Sequence, residues 1–286
     1  MVLTADWARR QFENVALGEI DKNHFSSVQG PVIARCAASQ LLDPTQQCST
    51  GAITSWTNQG RTIYEGLLVK LSKRFSNRYQ FTASYALQNA NTVGAIYNLN
   101  SYFQNYGPYL PRHNFNFSGI VNLPWGFELG FNSSMVSKTP FQPVISGVDL
   151  AGTGITTSAL PGTSYRCFNV GCGKSGLDAA VAAYNTTYAG TKAPNGSTLG
   201  KLTLPGRYDF GDGSVSQDFR LTKRFRYKER YNLAIFGEVF NAFNIANLTG
   251  YSSTIGSAFG QPTQRAAQSF LSGGPRAIQV GGRFSF

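Results

Sequence analysis

The sequence lacks the long apolar run that a membrane-spanning helix needs, since nowhere do about 18 apolar residues follow one another. It is also poor in charge: Asp, Glu, Lys and Arg make up 14% of the chain, against roughly 25% in ordinary soluble domains. The N-terminus shows no basic segment followed by an apolar stretch and a cleavage site. A membrane-spanning helix is therefore excluded, and the chain is expected to be either a mature protein or, as we favour, an N-terminally truncated fragment.

Histidine is nearly absent, which bears on enzyme function. His24 and His113 are the only two histidines, and neither has a convincing Ser or Asp partner in the sequence. A hydrolase needs a base beside a nucleophile. We therefore expect a protein that is not an enzyme and that holds no cofactor or metal.

The four cysteines form two local pairs, Cys36 with Cys48 and Cys167 with Cys172. An even number of cysteines in close pairs suits disulfides in an oxidising compartment. The spacing of Cys167 and Cys172 fits the usual zinc pattern poorly, and no histidine is nearby. The pairs therefore predict two disulfides that staple loops.

Strict period-two alternation is the strongest pattern that is present. Between residues 79 and 88, apolar side chains at odd positions alternate with mostly polar side chains at even positions. Successive side chains of a strand point to opposite faces, so this segment has one apolar and one polar face. Similar alternation appears around residues 2–17, 67–72, 114–123, 127–132, 218–222, 232–239 and 278–286. The pattern predicts about eight strands.

The connections between these strands alternate in length. Short connections at 75–78, 123–126 and 225–229 alternate with long ones at roughly 18–60, 90–111, 138–212 and 244–274. Outer-membrane barrels combine short periplasmic turns with long extracellular loops. We therefore predict an all-β fold, an antiparallel transmembrane up-and-down β-barrel segment of about eight strands, in the bacterial outer membrane. One stretch of the third long loop, residues 175–189, predicts a short helix with Ser175 as its cap.

Aromatic and basic residues cluster beside the short turns. The aromatic residues are Phe75, Tyr79, Trp125, Phe127, Phe225, Tyr227 and Tyr231. The formal net charge is +11, and nine of the 25 basic residues are Lys70, Lys73, Arg74, Arg78, Lys223, Arg224, Arg226, Lys228 and Arg230. This placement is typical of an aromatic girdle with charges where a barrel meets water. It is favoured over a nucleic-acid site.

The last strand ends the chain on an aromatic residue. Ile278, Val280, Phe284 and Phe286 share one face. The segment resembles the C-terminal strand by which the barrel-assembly machinery recognises bacterial outer-membrane proteins, although an ordinary final strand can also stop on Phe. We expect these four residues to face outer-membrane lipid and Phe286 to lie at the periplasmic end.

Several segments resemble the TonB-dependent receptor superfamily, most of all its Oar-like subgroup, which carries an N-terminal carboxypeptidase-regulatory-like domain. They are residues 66–87, 221–225, 236–244, 259–263 and 275–279. The resemblance implies a barrel of about 22 strands around a plug and substrate passage driven by the TonB complex. Residues 1–286 have room for about eight strands and show no plug or TonB box. They are therefore expected to be the C-terminal part of such a barrel, with lumen-lining polar faces and substrate-binding loops.

A self-standing eight-stranded barrel with a structural or adhesive role is the alternative. Eight strands can close into a barrel. The clean polar faces resemble a wet or plugged lumen, however, and the connection 138–212 is long for so small a barrel. The sequence does not identify the transported substrate.

Overall fold

The computed structural model describes residues 1–21, 45, 48, 54–94, 105–151, 155–194, 196–228, 230–266 and 273–286. His24 and Cys36 lie outside these ranges. The strands in the described part are β1 (Val2–Asp21), β2 (Thr54–Ser76), β3 (Tyr79–Val93), β4 (Tyr106–Pro108), β5 (His113–Asn122), β6 (Phe127–Val136), β7 (Val144–Ser146), β8 (Thr157–Ala159), β9 (Ser214–Tyr227), β10 (Tyr231–Phe240), β11 (Leu248–Thr249), β12 (Gln264–Arg265) and β13 (Ala277–Ser285). One α-helix, α1, spans Lys174–Thr187. No described helix is long and apolar enough to cross a membrane.

Eight strands form one antiparallel sheet in the order β1-β2-β3-β5-β6-β9-β10-β13, with the short β4 added to β3. We call it the eight-stranded sheet. Each inner strand of this order pairs with the sheet strands that come before and after it along the chain, as in an up-and-down barrel wall. The predicted all-β antiparallel fold with about eight strands is confirmed. Among the described strands, β1 and β13 end the order.

Short and long connections alternate along the sheet as predicted. Short turns lie at 77–78, 123–126 and 228–230, and long connections span 22–53, 94–112, 137–213 and 241–276. Asn77 and Arg78 both have positive φ, of 50° and 71°, which suits the twist of a two-residue hairpin. Ser285 pairs with Asn232, close to the turn at 228–230. The chain therefore ends at the short-turn end.

The strand register gives the sheet one apolar and one polar face. Phe131 on β6 lies opposite Gly119 on β5 and Phe219 on β9, and the row continues through Val239 to Ile278. The alternate rows carry Ser, Thr, Asn and charged residues, as in the pairing of Thr82 with Ser118 and of Ser118 with Asn132. Side chains of one strand alternate between faces, so continuous pairing keeps all eight apolar sets on the same side. We call the two sides the apolar face and the polar face.

Nothing described in the chain covers the apolar face. Among the sheet residues whose burial the structure describes, Ala90 is the only buried hydrophobic one. Large apolar side chains of this face are exposed instead, including Leu67, Leu221, Leu233, Ile235, Ile278, Val280 and Phe284. Contiguous apolar surface of this extent is abnormal in water, and it suits a sheet whose outer face meets lipid.

Helix α1 confirms the predicted helix and corrects its start. Leu177, Val181 and Tyr184 are buried on one face, as the sequence predicts. The predicted cap is wrong, because Gly173 occupies the N-cap position and no side chain caps the helix. Ser175 lies inside the first turn.

Candidate functional site

The polar face of the eight-stranded sheet is concave. A recess of about 770 Å³ opens on it. Its polar lining includes Gln80, Thr82, Ser118, Asn132, Asp218, Arg220 and Glu238. The sheet therefore curves toward its polar face, as a barrel wall must when its lumen is polar.

Charged side chains on this face are paired across strands. Arg224 on β9 donates to both carboxylate oxygens of Glu128 on β6, at 3.0 and 2.9 Å. Arg220 pairs with Glu238 on β10 at 3.1 Å, and its guanidinium lies 3.8 Å from the centre of the Phe236 ring. Each arginine side chain is about half exposed, so these pairs contribute at most about 1 kcal/mol each. Their larger effect is to hold the guanidinium groups against the wall.

Two lysines lie on the apolar face beside the short turns. The amine of Lys73 lies 3.6 Å from the centre of the Tyr79 ring and donates to the Ser76 carbonyl at 2.7 Å. The amine of Lys223 lies 4.5 Å from the Phe127 ring centre and donates to the Trp125 carbonyl. Lysines that lay their stems along apolar surface and turn their amines toward water are typical of a membrane interface.

The predicted aromatic girdle occupies the same level. Six of its seven residues are exposed near the short turns, Phe75, Tyr79, Trp125, Phe225, Tyr227 and Tyr231, whereas Phe127 is half-buried. Trp125 is 84% exposed and has a φ of 59°. A large ring held outward at a turn has no packing role in the chain, so it fits the headgroup region.

At the other end of the sheet, two long connections fold together into what we call the loop cap, the described residues of 137–213 and 241–266. The cap contains α1 and the small hairpins β7–β8 and β11–β12. The two connections are hydrogen-bonded to each other, since Val144 donates to the Ser253 carbonyl and Ile255 to the Val144 carbonyl, both at 2.9 Å. They therefore form one unit.

The loop cap has a hydrophobic core of its own. Its buried residues are Ile145, Leu160, Phe168, Leu177, Ala180, Val181, Tyr184, Phe210, Ile255 and Phe259. The Phe168 and Phe210 rings pack at 4.9 Å. Gly260, with a φ of +65°, lies so close to the first connection that a Cβ there would stand 2.6 Å from the Asp209 carbonyl oxygen. Only glycine fits this approach.

The predicted disulfide between Cys167 and Cys172 is present, and it lies at the edge of this core. Both sulfur-bearing side chains are partly buried against the core residues. Cys48 is disulfide-bonded, while Cys36 lies outside the described residues. The pairing of Cys36 with Cys48 stays a prediction.

Two buried asparagines attach the last long connection to the sheet. The Asn241 amide donates to the carbonyls of Ile245 at 2.8 Å and Gly274 at 2.6 Å. The Asn247 amide donates to the carbonyls of Val215 and Gly273, at 2.9 and 2.7 Å. Both asparagines have positive φ, a conformation that asparagine tolerates better than most residues. Neither asparagine stands out in the sequence by a pattern of its own, although Asn241 belongs to the receptor-like segment 236–244.

Four titratable groups of the cap have shifted pKa values, Tyr184, Tyr208, Asp209 and Tyr251. Burial and the hydrogen bond to Asp178, at 3.1 Å, raise the pKa of Tyr208 to about 12. Burial by itself raises the pKa of Asp209. The hydrogen bonds from Lys138 and from the Phe210 amide lower the pKa by more than burial raises it, so the net shift is downward. These groups stabilise contacts within the cap.

His113 lies at the start of β5 on the long-loop side. Its Nδ1 is 2.8 Å from the Tyr85 hydroxyl and its ring stacks on that of Tyr85. Its backbone amide donates to the Ser137 hydroxyl oxygen at 3.0 Å. Its ring thus pairs with a tyrosine. Among the described residues, no group of three or more His, Cys, Asp or Glu could hold a metal ion.

The model of one protein family, described as an outer membrane beta barrel domain, matches residues 11–279. The chain belongs to this family. Its place is the bacterial outer membrane. A search of curated proteins found no match.

Among solved structures, this outer-membrane barrel chain is similar to three proteins. They are the ferric-catecholate import receptor Fiu of Escherichia coli K12 (11% identity, TM-score 0.42), the siderophore receptor PiuA of Acinetobacter baumannii (9%, 0.44) and the outer membrane transporter YddB of Escherichia coli (10%, 0.41). Each alignment covers 99% of this chain but only 25%, 26% and 29% of the other. The chain thus spans about a quarter of the length of the structures it matches. Membership of the family rests on the family match and the strand pattern.

The four residues of the predicted C-terminal assembly signal have exposed side chains, and the three that lie within the last strand are on the apolar face of the sheet. Ile278, Val280, Phe284 and Phe286 are exposed, at 76%, 78%, 59% and 84%. The first three lie opposite Val239, Gly237 and Leu233 on the apolar face. Recognition of these residues by the barrel-assembly machinery stays a prediction.

Proposed function

We propose that residues 1–286 are the C-terminal part of the barrel of a TonB-dependent receptor of the Oar-like kind, which takes up a substrate across the outer membrane and is not an enzyme. One observation carries the proposal. The eight-stranded sheet is open, because its two end strands in the described part of the chain, β1 and β13, do not pair with each other. A barrel wall in lipid needs every strand edge paired. Further strands, and a plug, are expected in the longer protein.

In this proposal the two faces and the loop cap have separate roles. The apolar face meets outer-membrane lipid, and the polar face lines the lumen through which the substrate passes. The loop cap binds or gates the substrate on the extracellular side. The plug contacts the TonB complex in the periplasm, and the barrel-assembly machinery inserts the barrel by its last strand. The receptor-like segments 66–87, 236–244 and 259–263 support this assignment.

Cysteine crosslinking tests whether β1 and β13 are neighbours. Ala5→Cys on β1 would be combined in turn with Ile278→Cys, Val280→Cys and Gly282→Cys on β13. Two cysteines must have Cα atoms within roughly 7 Å to form a disulfide. We expect no crosslink within one molecule, because other strands lie between the two edges.

Leu233→Cys with Phe284→Cys provides the positive control, since the two residues are directly opposite on β10 and β13. A β1–β13 crosslink, with residues 1–286 alone running on a gel as a compact heat-modifiable monomer, would contradict the proposal. That result would instead establish the self-standing eight-stranded barrel with a structural or adhesive role.

A further inference from the structure

A second recess, of about 470 Å³, lies on the polar face at the short-turn end. Four arginines line it, Arg220, Arg224, Arg226 and Arg283, and Glu128 is the one carboxylate among its lining residues. The other lining residues include Thr222, Asn232, Phe236 and Ser285. The recess is therefore strongly basic.

The sequence creates this recess by placing a small residue between two large ones. Arg224 on β9 and Arg283 on β13 both lie opposite Ala234 on β10. Neighbouring strands are about 4.8 Å apart, so the two arginines rise roughly 10 Å apart on either side of a methyl group. The Phe236 ring leans over Gly281, where an added Cβ would stand 2.4 Å from it. This gives the recess an apolar side below its charged rim.

One row nearer the turn, the recess gains further donors. Arg226 lies opposite Asn232, and Asn232 lies opposite Ser285. A guanidinium, an amide and a hydroxyl are thus presented side by side, each able to donate hydrogen bonds. Such a row matches an acceptor with several oxygens.

The carboxylates of the described residues do not satisfy this charge. Arg224 and Arg220 are paired with Glu128 and Glu238. Arg226 and Arg283 have no carboxylate within ion-pair distance in the part of the chain that the structure describes. Two guanidinium forks thus remain available on the lumen side, and such forks match the oxygen geometry of carboxylates and phosphates.

We propose that this recess binds a small solute with two or more anionic groups, carboxylate or phosphate, through Arg226 and Arg283. Its volume lies within the roughly 300–1,000 Å³ of ordinary small-ligand sites, which favours a small solute over a flat protein surface. Because the recess lies near the periplasmic end, a solute that moves inward through the lumen reaches it shortly before it enters the periplasm. This role on the route rests on the proposed function, because the recess must face the lumen.

The test is calorimetric titration of the protein, extracted in a non-ionic detergent, with citrate and, separately, with pyrophosphate, which carry three carboxylates and two phosphate groups. We expect one of the two anions to bind, and more weakly as the salt concentration rises. Arg283→Gln and Arg226→Gln should each weaken this binding by about tenfold or more, the effect of losing a charged hydrogen-bonded pair. Arg283→Lys, which keeps the charge but loses the fork, should also weaken it.

Lys70→Gln is the matched control, because Lys70 lies on the polar face of β2 and does not line the recess. It should leave the affinity unchanged. Equal weakening by Lys70→Gln, or no binding of either anion by the unaltered protein, would overturn the proposal. An unchanged unfolding midpoint in each variant shows that a loss of binding is not a loss of fold. The β1–β13 crosslinks report separately on the proposed function, since they do not depend on anion binding.

Discussion

The eight-stranded sheet and the loop cap place their apolar residues in opposite ways. In the cap, Phe168 and Phe259 are almost completely buried, at 1% and 0% exposure. In the sheet, Val280 and Ile278 are more than three-quarters exposed. The same chain therefore contains one region with its apolar residues inside, as in a water-soluble domain, and one region with its apolar residues outside, as in the wall of an outer-membrane barrel.

This difference shows which solvent each region is adapted to. The cap is stabilised by removing apolar area from water, as in any small globular domain. The sheet has almost no buried core among the described residues, so its strands depend on their hydrogen-bonded ladders and on contact with lipid. The buried Asn241 and Asn247 lie where the two regions meet, and they satisfy backbone groups at that boundary.

The largest expected effect comes from opening a cavity in the cap. Phe168→Ala should lower the free energy of unfolding of the cap by about 3–5 kcal/mol, because Phe168 is buried against Phe210. Phe243→Ala is the control, since Phe243 is 68% exposed and should change stability by about 0.5 kcal/mol or less. Hydrogen exchange should show faster exchange in the cap and little change in the sheet. Equal acceleration in both regions would show that they unfold as one unit and would break the comparison.

A charge on the lipid side of the sheet should have the next largest effect. Val280→Arg should destabilise the barrel by about 2–4 kcal/mol, the cost of an arginine facing lipid near the bilayer midplane. Gln279→Arg is the matched control, because Gln279 is the neighbouring exposed residue of β13 but belongs to the polar face. Chemical unfolding in lipid vesicles measures both variants. If the two are tolerated equally, the apolar face does not meet lipid.

Acid should slightly lower the free energy of unfolding of the cap by protonating Asp209. The sheet does not contain this carboxylate, so its stability should not change for this reason. Asp209 has a pKa below its ordinary value of 3.8. Its stabilising contribution is therefore complete above that value and is lost as the pH falls through the lower value of the folded state. The effect should be small, because the Lys138 and Asp209 side chains are 38% and 43% exposed. The free energy of unfolding of the cap should differ less between pH 7 and pH 3 in Asp209→Asn than in the unaltered protein. If the variant shows the same difference, the ion pair of Lys138 with Asp209 is not its cause.

The two regions also differ in how far the sequence predicted them. Two patterns predicted all eight strands and the apolar face: apolar and polar side chains alternate along each strand, and short and long connections alternate between strands. A strand that separates lipid from lumen must change from apolar to polar at every second residue. The cap has no such period. Its core joins residues as distant as Ile145 and Ile255, and the sequence indicated only α1 and the pair Cys167–Cys172.

The candidate site was predicted in part for the same reason. The polar set on each strand was visible, but the basic recess depends on which residues lie side by side across strands. Arg224, Ala234 and Arg283 are far apart in sequence, and the register brings them into one row. In the sequence Arg224 was one of a cluster of charges by a turn, and Ala234 showed no feature of its own.

Lys73 and Lys223 have a consequence for how the protein sits in the bilayer. They lie on β2 and β9, with β3, β5 and β6 between them, and both amines reach groups of the nearest short turn. Each lysine places its amine over a ring at the short-turn end of its strand, a pairing typical of the level where hydrocarbon gives way to headgroups. Two such anchors on well-separated strands would limit the immersion depth of the wall and its tilt along the line that joins them. A bilayer that is too thick or too thin must then adapt to the protein at this edge, by stretching or thinning its own chains.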